Sequence, residues 1–139
     1  PGPGLLSRSG HGVRQQGGRT SLLRSFGYAF SGMAYLLRRQ RNARIHAAIT
    51  LVVIGLGVWL RLAGPQWAVL VLAMGLVWSA EAVNTALETL VDLASPQVDP
   101  AAKSIKDLAA AAVLLAAIAA AVVGALILGP ALVRRALEP

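Results

Sequence analysis

Between Leu108 and Leu128 the chain carries no charged, hydroxyl or amide side chain. A run of about 20 apolar residues matches the hydrocarbon thickness of a bilayer when coiled as a helix. Lipid offers no hydrogen bonds to the backbone, so helix is the form such a run takes. Two further apolar stretches precede it, one from Ile45 to Leu60 and one starting near Trp67. Apolar residues make up 56% of the 139 residues and charged residues 14%. Those shares, with the apolar residues clustered, exclude an ordinary soluble domain. The pattern predicts an all-α integral membrane protein with one surface helix and three transmembrane helices.

The expected elements follow in order. Residues 1–20, rich in Gly and Arg, read as a disordered basic tail without a cleavable signal peptide. Residues 21–40 repeat apolar positions at helical spacing (Leu22, Phe26, Phe30, Met33, Leu37) between basic flanks. They read as an amphipathic helix interrupted by Gly27 and Gly32, lying on anionic lipid headgroups. A helix packed on protein would show the same periodicity. Arg41 to His46 is a charged junction. The spans are expected over 45–62, 67–94 and 100–129, with a tight turn at Leu62 to Gln66. Asp99 and Pro100 resemble a helix start, and Gly129-Pro130 a stop before a tail at 131–139. Basic residues at the front place the N-terminus in the cytoplasm. Arg134 and Arg135 then fall on the far side, against that bias. The net charge of +7 is carried by these flanks and comes with no nucleic-acid motif. With Cys absent there is no disulfide framework and no thiol nucleophile.

Chemistry gathers at the end of the second span. Glu81, Asn84, Glu88 and Asp92 are spaced by three, four and four, one stripe on a helix face. Acids at or near membrane depth are costly and need a partner, a metal or a wet cavity. The third helix opens with Lys103, Lys106 and Asp107 at the same surface. Carboxylates for Mg²⁺, lysines for phosphate and an acid for a hydroxyl are the parts of phosphoryl transfer. No GxxxxGK[ST] loop and no protein-kinase motif set is present. A proton-coupled transporter centred on Glu81 fits the same spacing. Plainer roles stand beside these: Asn84 as a helix–helix bond, Glu88 and Asp92 as a solvated helix end, Lys103 and Lys106 as membrane anchors. Trp59, Trp67 and Trp78 suit an interface or packing.

The segments EAVNTALETLVDL and DPAAKSIKDLAAAAVLL are similar to the signature region of the prokaryotic diacylglycerol kinase and undecaprenol kinase family. SFGYAFSG and RNARIH look like the same family, and the likeness runs from about Leu22 to the end of the third span. It implies a homotrimer in the bacterial cytoplasmic membrane, with composite active sites at the cytoplasmic interface. It implies transfer of the γ-phosphoryl group of ATP, with Mg²⁺, to the hydroxyl of a membrane lipid. The lipid is undecaprenol or diacylglycerol, with RNARIH, ALETLVDL and DPAAKSIKD closer to the undecaprenol branch. Carried over by position, Glu81 resembles the catalytic base and Glu88 a metal ligand beneath the ATP phosphates. Asn84 supports the site. Lys106 and Asp107 resemble the pair that engages the nucleotide, Tyr28 an aromatic near the adenine, and Asp99 a further nucleotide contact. Asn42, Arg44 and His46 stand where the lipid enters, or where the first span is positioned. One position departs from the pattern: Gln40 stands where family members commonly carry a metal-binding Glu. A neutral amide still offers an oxygen but removes a charge from the metal site.

Overall fold

A computed structural model describes residues 22–95, 97 and 99–137. The basic tail expected at 1–20 and the last two residues lie outside them. The described chain is helical throughout, in the order α1 (Leu22–Arg39), α2 (Arg41–Trp59), α3 (Gly64–Ala94) and α4 (Pro100–Leu137). Three of these, α2, α3 and α4, are long and apolar enough to cross a membrane.

Helix α1 runs unbroken through Gly27 and Gly32, and the Ser31 hydroxyl donates back to the Gly27 carbonyl at 2.9 Å. Only its last turns meet the other helices: Leu36 is buried, while Phe26 and Phe30 stay exposed. Gln40 has extended backbone angles (φ −101°, ψ 123°) and is the break that separates α1 from α2. The charged junction Arg41 to His46 is therefore the first part of α2, not a linker. Nothing in Arg-Asn-Ala-Arg opposes a helix, and Ala43 at its centre is fully buried.

A tight turn joins α2 to α3. The Leu62 N–H donates to the Gly57 carbonyl and the Arg61 N–H to Val58, both at 3.1 Å, a Schellman closure. Helix α3 begins at Gly64, earlier than expected, because Pro65 is preorganised for a first turn. Gln66 Oε1 accepts the Ala63 N–H at 2.9 Å. The Trp67 ring lies over Gly57, where a β-carbon would stand 2.8 Å from it.

The longest packing interface is between α3 and α4. On α4, Ala109, Val113 and Ala116 are buried at spacings of four and three. Small side chains there let the two backbones approach. The expected stop at Gly129-Pro130 does not occur: α4 continues to Leu137 with Pro130 inside it. Proline removes one helical hydrogen bond, but Leu128 and Ala131 on either side of it are buried and hold the helix on course. Most large apolar side chains of α2 and α4 face outward, as expected where lipid or another protein copy is the solvent.

Candidate active site

The polar stripe of α3 is graded in depth. Glu81 is 1% exposed, Asn84 and Thr85 are buried, Glu88 is half-buried and Asp92 is exposed. Glu81 and Asn84 share a cavity wall with α2 and α4, whereas Asp92 meets only the exposed first turns of α4 through Lys106.

Both oxygens of Glu88 are occupied. Asn84 Nδ2 donates to Oε1 at 2.9 Å, within the helix. Gln40 Nε2 donates to Oε2 at 3.2 Å, across from the α1–α2 break. Two amides thus fix one carboxylate from opposite sides. Two buried atoms of this cavity wall, Glu81 Oε2 and Asn84 Oδ1, have no protein partner, and neither has Thr85 Oγ1, which lines the space between α1 and α3. A buried polar atom without a partner is costly, so such a cluster signals a site that a ligand or water completes.

The space for a ligand is present. A cavity of about 260 Å³ is lined by Asn42 and His46 from α2, Glu81, Asn84 and Glu88 from α3, and aliphatic residues of α4. Below it a second cavity of about 320 Å³ is almost wholly apolar, with Leu70, Met74, Val77 and Ala121 among its walls. His46 and Ala117 line both, so the two cavities adjoin there. Just beneath His46, Trp78 Nε1 donates to the Thr50 hydroxyl at 3.2 Å and ties α2 to α3.

Other expected site residues lie outside the cavity wall. Lys106 of α4 forms an ion pair with Asp92, one turn beyond Glu88 on α3. Asp107 pairs with Lys103 at 3.0 Å along its own helix, where both are exposed. The Asp99 carboxylate accepts the Ala101 N–H at 2.8 Å and caps α4. Arg44 is exposed, and Tyr28 on α1 is 69% exposed. Sequence reasoning missed Thr85 and Thr50. Thr85 stands four residues after Glu81 but lines the separate cavity between α1 and α3.

Among the described residues no three His, Asp or Glu side chains cluster as a complete metal site. Glu88 offers one carboxylate, and the Asn84 and Gln40 amides beside it, which now turn their N–H groups to it, each carry one further oxygen. That set fits a Mg²⁺ ion that takes one carboxylate from protein and the rest of its shell from phosphate and water.

Comparison with known proteins agrees with the geometry. Residues 27–128 match the family described as prokaryotic diacylglycerol kinase. A diacylglycerol kinase of Synechocystis sp. is 48% identical over 113 residues, which are 81% of this chain and 65% of the relative. The chain thus spans a little under two thirds of that relative's length. An undecaprenol kinase of Bacillus subtilis is 37% identical over 109 residues, covering 78% of this chain and 89% of the relative. With its matched span running from α1 to the end of the apolar run in α4, the chain belongs to the prokaryotic diacylglycerol kinase family.

Proposed function

We propose that the protein is a lipid kinase that moves the γ-phosphoryl group of ATP to the hydroxyl of a membrane lipid, diacylglycerol or undecaprenol. The observation that carries this reading is the buried Glu81 carboxylate on the wall of a cavity that adjoins an apolar one at His46 and Ala117. An amphiphilic alcohol fits such a junction. Its chain lies among Leu70, Met74, Val77 and Ala121, and its hydroxyl reaches Glu81.

Glu81 Oε2, free of any protein hydrogen bond, accepts the proton of the lipid hydroxyl. The lipid oxygen forms a bond to the γ-phosphorus, and the bond from that phosphorus to the bridging oxygen of ATP breaks, leaving ADP. Glu88, steadied by Asn84 and Gln40, would hold Mg²⁺ together with the phosphate oxygens. The bound ion would neutralise charge on the transferred group and on the leaving ADP. Lys106 exchanges Asp92 for a phosphate oxygen, a trade favoured by the greater charge of the triphosphate. The bulk of ATP extends outside the cavity, where Asp99, Asp107 and Tyr28 are accessible. Asn42, at the cavity wall, and Arg44, at the α2 entrance, meet the lipid headgroup region.

In this proposal α1 lies on the cytoplasmic membrane surface and the N-terminus is inside, in a bacterial cytoplasmic membrane. Three copies assemble, which covers apolar surface that one chain leaves open. The family match gives no support to a transporter centred on Glu81.

The test is transfer of labelled phosphate from Mg·ATP to each lipid in parallel, using the full chain in mixed micelles. Label appearing in one or both lipids supports the proposal. Retention of all label in ATP, with either lipid in excess, overturns it.

A further inference from the structure

The end of the molecule remote from the acidic cavity is also built around charge. There the turn after α2, the first turn of α3 and the last turns of α4 border an open cavity of about 680 Å³. Arg61, Arg134, Arg135 and Gln66 line it, with no acidic residue among its walls within the described residues. We propose that this cavity binds a phosphate-bearing anion, the headgroup of an anionic membrane lipid held by Arg61, Arg134 and Arg135.

Three features lead there. The first is convergence. Ala131, Arg134 and Arg135 are spaced by three and four, one stripe of α4, and Ala131 is buried. Arg134 and Arg135 stay exposed on that side of α4, and with Arg61 they line the same open groove. The continuation of α4 past Pro130 is what brings Arg134 and Arg135 to this place.

The second is the backbone at Arg61, whose φ is 51°. It is the only non-glycine residue with positive φ among the described residues. It follows the α2 cap in the position that closes a Schellman turn, where glycine is the usual occupant. A β-carbon disfavours that conformation. A guanidinium kept at such a place points to a use for it.

The third is the field. A basic residue at the C-terminal end of α2 or of α4 is favoured by each helix dipole. Crowding three of them around the start of α3 is not, because that end carries partial positive charge. The ion pairs of the described residues, Lys103–Asp107 and Lys106–Asp92, both lie at the other end of the molecule. An anion resolves the repulsion, and arginine grips phosphate with two parallel hydrogen bonds. The depth suits a lipid headgroup: Trp59, the last residue of α2, is exposed beside the turn, where tryptophan marks the membrane interface.

The experiment compares thermal melting of the full chain in phosphatidylcholine bilayers, in the same bilayers with phosphatidylglycerol added, and in phosphatidylcholine with inorganic phosphate. Phosphatidylglycerol is expected to raise the wild-type Tm by at least about 3 °C. A chain carrying R61Q, R134Q and R135Q together is expected to lose that rise. Arg61→Gly removes one guanidinium while relaxing the turn. It is expected to melt no lower than wild type in phosphatidylcholine and to lose a measurable part of the rise, so it decides the matter should the triple variant fail to fold. An equal rise in wild type and variants overturns the proposal and assigns the effect to the basic residues of α1. No rise in wild type overturns it as well. The same rise with inorganic phosphate, absent from the variants, overturns the lipid assignment and leaves a site for free phosphate.

Discussion

Glu88 owes its orientation to two neutral amides, Asn84 on its own helix and Gln40 from 48 residues earlier. A glutamate at position 40 would set a second carboxylate about 3 Å from the first, where like charges repel unless a cation lies between them. Gln40→Glu is therefore expected to lower Tm without Mg²⁺ and to enlarge the rise in Tm that Mg²⁺ produces. A Mg²⁺ response unchanged from wild type would show that positions 40 and 88 do not share a cation. The stripe Glu81, Asn84, Glu88 and Asp92 was legible in the sequence because helical spacing alone sets it. That Gln40 stands beside Glu88 came from the family resemblance, not from the spacing. Their contact depends on where α1 ends, and no local pattern encodes a bond across that distance. The pairing of Lys106 with Asp92 was hidden for the same reason.

At the scale of the elements, the apolar runs marked the three long helices, while the punctuation residues misled. Pro65 and Pro130 were both read as boundaries. Pro65 instead lies in the first turn of α3, where its missing N–H costs nothing. Pro130 sits inside α4, carried by the packing of Leu128 and Ala131. Boundary rules describe a helix end in water, and tertiary contact overrides them. The α2–α3 corner offers a direct test of such contact. A side chain at Gly57 would collide with the Trp67 ring. Gly57→Leu is expected to destabilise the fold by about 1–3 kcal/mol, the usual cost of overpacking. Thr50→Val removes the acceptor of Trp78 Nε1 and is expected to cost about 1 kcal/mol. Melting in lipid micelles checks both, and a Gly57→Leu protein as stable as wild type would contradict the close approach of α2 to that ring.

For the whole molecule, the proposed topology puts the acidic cavity in the cytoplasm and the arginine-lined end on the far side. The absence of cysteine makes this easy to check, because any introduced thiol is the only one. In intact cells, Ser25→Cys is expected to be protected from a membrane-impermeant thiol reagent and Ala136→Cys to be labelled. The opposite pattern would invert the topology and put Glu81 on the side without ATP. The most direct measurement is the lipid-phosphorylating rate of Glu81→Gln beside its melting temperature. The amide keeps the shape of the buried carboxyl group but is a far weaker proton acceptor. The rate at saturating substrates is expected to fall by about 10²- to 10⁴-fold with Tm no lower than wild type. A Glu81→Gln protein that phosphorylates lipid at the wild-type rate would contradict the role of this carboxylate as the base.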